Sequence, residues 1–356
     1  MFVAELLAGL AGRDDTSVVA FAVSWRGRSR LGAVVPAGVA VRSRPVPARL
    51  ARPAWSRCDR PSAAWLAGAA EVVHGPNHVV PPGGGAAEVV TIHDLTALRY
   101  PEMVTADVAV WPGLLTRAIG RGAWVHTVSE AVAEEVREHW PAAAERVVAV
   151  ANGFRRPAPA TSRSDAARGR RLAGGDRYVL ALGTVEPRKN LPLLVAAFDA
   201  VAAEDPDLRL VIAGPDGWGV DALVEALRRS PHRRRIRRIG WVDDDDRYAL
   251  LRGASLVAYP SVYEGFGLVP LEALAAGTPV VASRIPAIEE VVGDRCVTLV
   301  PVGDVDALAG AVSAVLSDPE GASARVDAGQ DVVDSHSWRA TVDGVSALYR
   351  RAVEAR

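Results

Sequence analysis

The chain is poor in the features that would place it in several common classes. Its 356 residues include two cysteines, two methionines and a single lysine. Cys58 and Cys296 lie far apart with no paired spacing, so neither a disulfide framework nor a thiolate zinc site is readable. No apolar run reaches the roughly 18 residues that a membrane-spanning helix needs. The opening MFVAELLAGLAGRDD has neither a basic leader nor a cleavage site and does not read as a signal peptide. Its apolar residues Phe2, Val3, Leu6, Leu7 and Leu10 fall at helical spacing instead. A formal net charge of −1 supplies no overall field for nucleic acid, and no basic stripe is interleaved with aromatics.

What is present describes a globular protein: 49% hydrophobic and 23% charged residues, in a length that suggests two domains with a core each. The basic residues are lopsided, since of 41 Lys+Arg only Lys189 is lysine. GC-rich coding explains the arginines, which makes the exception worth following. Residues 1–60 carry ten arginines against four acids. They are either an ordinary solvated surface or a basic face towards anionic lipid or a phosphorylated acceptor. The basic run Arg233–Arg238 is soon followed by Asp243–Asp246, and the two are expected to neutralise each other without forming a site.

Short apolar runs alternate with helical patterns, and no internal repeat is evident. In the first half, strands are expected at Val18–Ser24, Glu71–His74, Glu88–His93, Ala123–Val128 and Arg146–Val150, with helices at Thr105–Gly120 and Glu130–His139. Residues 155–175, rich in Pro, Ala, Arg and Ser, read as a linker. The second half has buried-strand patterns at Tyr178–Leu182, Arg209–Ala213, Ile236–Trp241, Ser255–Tyr259 and Pro279–Ala282. Helical patterns follow at Leu191–Ala203, Val220–Arg229, Asp244–Arg252, Leu268–Ala276 and Val305–Leu316. The alternation predicts an α/β architecture of two doubly wound, Rossmann-like parallel-sheet domains: 1–154, the linker 155–175, then 176–335. Residues 336–356 are expected to form a helix that packs back on the first domain. Ligands of such sheets bind beyond the carboxyl ends of the strands.

Two segments carry chemistry. The loop Gly183-Thr184-Val185-Glu186-Pro187-Arg188-Lys189-Asn190 leaves a strand and enters a helix. Glycine lets a ligand approach the backbone, and a helix N-terminus already favours an anion. Arg188 and Lys189 there suit a phosphate, as a fork and a compact charge. The plainer alternative is a solvated basic loop. It is no Walker A loop, because the Gly-x4-Gly-Lys-Ser/Thr spacing is absent. The second segment, Tyr259-Pro260-Ser261-Val262-Tyr263-Glu264-Gly265-Phe266-Gly267-Leu268, enters a helix containing Glu272. Glu264 and Glu272 stand seven residues apart, and a carboxylate can accept both hydrogen bonds of a vicinal diol. Alternatively Glu264 is a turn residue and Glu272 a surface one. The helix around Glu272 is apolar nearly all round, however, and a buried, unpaired carboxylate would be costly.

These residues resemble the retaining glycosyltransferases of family 4, group 1, which have the two-domain GT-B fold. The resemblance rests on GTVEPRKNL, LVIAGP at 210–215, IGWV at 239–242, YPSVYEGFGLVPLEALAAGTPVVAS at 259–283 and SHSWRATV at 335–342. In the first half it is carried more loosely by VVHGPNHVVPP, VTIHDLTALRYPE and TVSEAVAEEV. The resemblance implies that Arg188 and Lys189 hold the donor diphosphate and stabilise the leaving group, and that Glu272 binds the ribose hydroxyls. It implies Glu264 on the donor sugar, with Gly183, Gly265, Phe266, Gly267 and Leu268 lining the donor, and His93 facing the transferred sugar across the cleft. Asp94, Arg99 and Tyr100 are expected on the acceptor side, Asp94 alternatively capping the next turn. His74 and His78 are expected to be core or strand-end residues. No metal or cofactor is implied; the nucleotide diphosphate sugar is a substrate.

The function implied is metal-independent, retaining transfer of a hexose, mannose from GDP-mannose first, to a hydroxyl of a glycan or lipid-linked acceptor. The setting would be the cytoplasm, with peripheral contact at the inner, anionic membrane face. A nucleotide-sugar epimerase of the same fold would isomerise the donor without an acceptor, and an inactive relative would bind nucleotide without turnover. One departure stands out. Family members open with a strand and a glycine loop, whereas this chain opens on the helix FVAELLAGLAGR. The first, central strand is therefore expected to be missing, through a start downstream of the natural one or a truncated copy, which would leave two strands without partners and their polar backbone groups unsatisfied in the core.

Overall fold

The structure, a computed structural model, describes residues 2–25, 27–156 and 164–356. The chain divides into two units: residues up to Gly153 together with His336–Arg356, and Phe154–Ser335.

The first unit holds strands β1 (Val19–Ala20), β2 (Ala40–Val41), β3 (Val72–Gly75), β4 (Ala87–Ile92), β5 (Trp124–Thr127) and β6 (Val147–Ala149). They do not form one sheet. Strands β3-β4-β5-β6 make a parallel four-stranded sheet, and β1 and β2 pair separately. Among the described residues, β1 and β3 thus each have a strand partner on one side only. The terminal helix Trp338–Glu354 belongs to this unit. Its Leu348 and Ala352 pack on Val89 and Trp124 of the sheet, and its Val342 and Val345 on Leu6 and Leu10 of the opening helix. Gly9 makes that helix pair close, because a Cβ there would fall 2.3 Å from a Val342 methyl.

The second unit is a six-stranded, wholly parallel sheet of β7 (Tyr178–Leu182), β8 (Arg209–Ala213), β9 (Ile236–Gly240), β10 (Leu256–Tyr259), β11 (Val280–Ser283) and β12 (Thr298–Val300). The spatial order is β12-β11-β10-β7-β8-β9. Helices on both faces bury the central strands completely, so β7 and β10 read as continuous apolar runs without alternation. The core joins Leu210 and Ile212 of the sheet to Leu194 and Phe198 of helix Leu191–Glu204 and Leu308 of helix Val305–Ser317.

One expectation needs correction. Residues 155–175 are not linker throughout, since Ser164–Ala173 form a helix; the part at 157–163 lies outside the described residues. The helix packs on helix Asp244–Gly253 through glycines in place of large apolar side chains. A Cβ on Gly169 would fall 1.9 Å from the Ala249 carbonyl, and one on Gly253 2.8 Å from that of Ala166. Backbone-to-backbone packing of this kind leaves no apolar stripe to read. Among the described residues, no helix is long and apolar enough to cross a membrane.

Candidate functional site

The order of the second sheet explains where its site lies. From β7 the chain proceeds outward through β8 and β9, then returns to β10 on the other side of β7 and continues outward through β11 and β12. The direction reverses between neighbouring strands β7 and β10, whose following loops therefore diverge and leave room at their carboxyl ends. Those two loops, 183–190 and 260–267, contain the residues singled out above. The backbones are also tied together, because Val262 N–H donates to the Arg188 carbonyl at 2.8 Å.

At their junction sit two cations and two carboxylates. Glu264 is only 7% exposed. Lys189 Nζ lies 2.5 Å from its Oε1, Arg188 Nη1 lies 2.6 Å from its Oε2, and Ser261 Oγ donates to Oε1 at 2.8 Å. Burial alone would push the Glu264 carboxyl up, but the Lys189 and Arg188 charges outweigh it and hold the group at about 2. Lys189 also donates to the Tyr259 hydroxyl at 2.8 Å, and burial draws its ammonium below the ordinary value against the pull of Glu264. Arg188 is held from its other side by Glu186, with Nε 3.0 Å from Oε2. The four charges sum to zero, and the two cations are already oriented. An incoming diphosphate can draw on them without recruiting charge from solvent.

Gly183 sits at the exit of β7 with φ 133°. Its carbonyl lies where a Cβ on Gly214 would be 1.9 Å away, so the neighbouring strand ends close on each other only because Gly214 is glycine. Gly265 and Phe266 are buried in the second loop. Gly267, in the left-handed region at φ 105°, turns the chain into helix Leu268–Ala275, and a Cβ there would meet Ile288 at 2.6 Å. Glu272, on that helix, is fully buried and neither of its carboxylate oxygens receives a hydrogen bond. Its ion-pair partner is Arg247 of helix Asp244–Gly253, whose Nη2 touches Oε1. Glu272 is thus not a surface residue; two carboxylate oxygens capable of accepting from a diol lie in this unit.

The first-unit candidates form a separate group at the carboxyl ends of β3–β5. His93 follows β4, donates from Nε2 to the Pro76 carbonyl at 2.9 Å and meets the Phe2 ring edge-on at 5.0 Å. Burial lowers its pKa. Asp94 does cap the next turn, its Oδ1 accepting from Thr96 N–H at 2.9 Å. Arg99 pairs with Glu135 at 2.8 Å and Glu138 at 3.7 Å on the neighbouring helix, and Tyr100 closes the short helix Thr96–Arg99. The structure therefore engages Asp94 and Arg99 within their own unit. His78, at φ 58°, stacks on Trp111 and donates to the Asp94 carbonyl. His74 and His126 belong to a buried polar chain that also contains Thr91 and Tyr349.

Four residues here went unread in the sequence: Glu186, Tyr259, Ser261 and Arg247. All but Arg247 stand inside the two motifs; Glu186 and Ser261 act on Arg188 and Glu264 of their own loops, whereas the role of Tyr259 depends on β7 and β10 being neighbours, which no local pattern states. Arg247 follows the Asp243–Asp246 run, which the sequence sets against Arg233–Arg238, whereas Asp246 pairs with Arg168 and Asp244 with Arg247. Among the described residues, no cluster of three or more His, Cys, Asp or Glu is placed to hold a metal.

Residues 163–332 match the family described as Glycosyl transferases group 1. The chain is 32% identical over 253 residues to O-antigen chain mannosyltransferase B of Escherichia coli, covering 69% of this chain and 65% of that protein. It is 33% identical over 233 residues to a glycogen synthase of Mycobacterium tuberculosis, covering 64% of this chain and 53% of that protein. It therefore spans about half to two thirds of the length of these curated relatives. Among solved structures it resembles Anabaena HepE in complex with UDP and glucose, with a TM-score of 0.70 and 20% identity over 97% of this chain and 95% of that one.

Proposed function

Since the chain belongs to the group 1 glycosyl transferases, we propose that it moves a hexose from a nucleotide diphosphate sugar to a hydroxyl acceptor, a growing glycan or glycolipid, with retention at the anomeric carbon. The observation that carries this reading is the cluster at the β7/β10 reversal: Arg188 and Lys189 fixed against Glu264, with the buried Glu272 in the same unit. The cations stabilise charge on the departing diphosphate, which is electrostatic catalysis by preorganised donors. Glu264 positions the sugar hydroxyls, Glu272 accepts from the ribose diol, and backbone groups of Gly265–Leu268 line the donor. In this reading the leaving phosphate takes the acceptor's proton on the face of attack, no side chain forms a covalent intermediate, and no resident metal or cofactor is required. His93 is assigned to the transferred sugar.

Mannose from GDP-mannose is the first donor proposed, supported by the name of the E. coli relative; the UDP and glucose of HepE make UDP-glucose the control. The purified chain, incubated with each labelled donor and a hydroxyl acceptor, is expected to turn over one of them, and Glu272→Ala to weaken that donor's binding at least tenfold. Binding of neither donor, or no change in Glu272→Ala, would overturn the reading. Donor isomerised without an acceptor would instead indicate an epimerase.

We further infer peripheral contact of the first unit with an anionic membrane, which would place the enzyme at the cytoplasmic face. Residues 27–68 contain eight arginines and one acid, Asp59, which pairs with Arg117 at 3.0 Å. Trp25, Val34, Leu50 and Trp65, in or beside that segment, are exposed. Basic residues near such a surface are each worth about 1 kcal/mol of attraction. Co-sedimentation with phosphatidylglycerol vesicles is expected and should fall with salt. Equal binding to phosphatidylcholine vesicles would remove the idea.

A further inference from the structure

Glu272 presents an unusual combination. Its carboxylate is fully buried, receives no hydrogen bond, and is met by one guanidinium, that of Arg247. Arg247 is itself a fifth exposed and has a second acid within reach. Its Nη1 lies 3.8 Å from Asp244 Oδ1 in the preceding turn of the same helix, and Asp244 is 61% exposed. Asp246, the other nearby acid, is already taken by Arg168 at 2.6 Å. Arg247 thus stands between a buried carboxylate and an exposed one, with its guanidinium 5.7 Å over the Tyr248 ring.

We propose that Arg247 and the nucleotide's ribose diol compete for Glu272, and that Asp244 receives the guanidinium when the diol prevails. The proposal rests on Glu272 being the diol acceptor. The chemistry permits the exchange on both sides. A guanidinium and a vicinal diol each offer a carboxylate two adjacent donors, so one can replace the other. A buried carboxylate cannot be left without either, because an uncompensated buried charge is strongly unfavourable. The exchange also yields selectivity: a 2′-deoxyribose has one hydroxyl and cannot replace both donors, so it leaves Arg247 where it is. Arg247 is in this sense a positioning residue, setting how strongly the site prefers ribose over deoxyribose.

The test compares binding of a ribonucleoside diphosphate and its 2′-deoxy counterpart, UDP and dUDP or GDP and dGDP, by calorimetry. If Arg247 holds Glu272 for about nine-tenths of the time, its removal strengthens apparent binding of the competing diol about tenfold. Arg247→Met is therefore expected to bind the ribonucleotide about tenfold more tightly and to widen the ribo/deoxy ratio by a similar factor. Asp244→Asn keeps the ion pair but removes the second anchor, and is expected to weaken the ribonucleotide several-fold while leaving the deoxynucleotide unchanged. It also serves if Arg247→Met does not fold. Parallel changes for both nucleotides in these variants would overturn the proposal, since a merely structural arginine affects them alike. Glu272→Ala separates the two readings. If it abolishes the ribo/deoxy preference while the Arg247 and Asp244 variants move both nucleotides together, Glu272 is the diol acceptor and the competition is refuted. If the preference survives Glu272→Ala, the diol assignment falls, and this proposal with it.

Discussion

Replacing Lys189 with methionine is expected to lower the rate of sugar transfer by about 10²–10³-fold, the range found when one preorganised donor to a developing anion is removed. The ammonium is fixed by the Tyr259 hydroxyl at 2.8 Å and Glu264 at 2.5 Å, and its side chain is only 11% exposed. Its orientation is thus set before any diphosphate arrives. Without it, Glu264 keeps Arg188 and Ser261, so the loop retains its anchor and the loss should fall on kcat more than on folding. Arginine at 189 is expected to recover little, because a planar fork does not fit the place of a compact ammonium between a phenol and a carboxylate. Kinetics with whichever labelled donor the chain turns over check this, and a Lys189→Met variant within about threefold of the parent would contradict the role. Composition offers an independent probe. Lys189 is the sole lysine in the chain. A lysine-directed acylating reagent has that one side chain to find besides the terminal amine. Inactivation should track acylation at Lys189, and a nucleoside diphosphate should slow both.

That such a prediction can be traced to a composition count reflects how unevenly this fold is written in its sequence. Tyr178–Leu182 and Arg209–Ala213 are found where the pattern puts them, since strands buried on both faces must be apolar throughout, and helix Val220–Arg229 is found where its helical spacing puts it. β12 has three residues, too few to show any period, and was not anticipated. The Ser164–Ala173 helix is hidden for a different reason: it packs by the absence of a side chain at Gly169. In the site, Glu264 and Glu272 are legible because their spacing is local. The burial of Glu272 follows from the apolar residues around it. Its pairing with Arg247, like that of Lys189 with Tyr259, arises only once the chain has folded. Histidine proved the least legible residue type, since His74, His93 and His126 sit on three neighbouring strands or their ends and the sequence does not say which of them meet.

Acid is expected to unfold the first unit before the second, and the cause is a set of buried histidines, two of them joined in a chain of hydrogen bonds that has a single direction while both rings are neutral. His126 Nε2 lies 3.1 Å from the Val150 carbonyl and must donate to it, so its Nδ1 is left as an acceptor. The Thr91 hydroxyl, 2.9 Å away, donates to that Nδ1. Thr91 Oγ1 in turn accepts from His74 Nε2 at 2.7 Å, and His74 Nδ1 accepts from the Tyr349 hydroxyl at 2.6 Å. With both rings neutral, each carries its proton on Nε2, and the chain ties the terminal helix to β3, β4 and β5. Protonating His126 would reverse its bond to Thr91, whose hydroxyl would then have to donate to His74 Nε2 with the His74 proton moved to Nδ1 and given to the Tyr349 oxygen, so one added proton rearranges the whole buried chain. Burial pushes the same way, lowering His126 and His78 from 6.5 to about 4 and His74 to about 3. These groups bind protons more readily unfolded than folded, so their contribution is complete above pH 6.5 and is lost as pH falls from there towards 4. Each such histidine removes about 1.4 kcal/mol of stability per pH unit within that window, so three acting together exceed the margin of many domains. Seven of the nine tryptophans lie in the first unit, and the two in the second, Trp218 and Trp241, are exposed. The shift of tryptophan emission to longer wavelength therefore follows the first unit. Its urea midpoint is expected to fall steeply between pH 6.5 and 4.5, and in His126→Gln to fall with a slope shallower by about one proton. A midpoint that is flat across this range, or a slope that His126→Gln leaves unchanged, would show that these histidines do not control the acid limit.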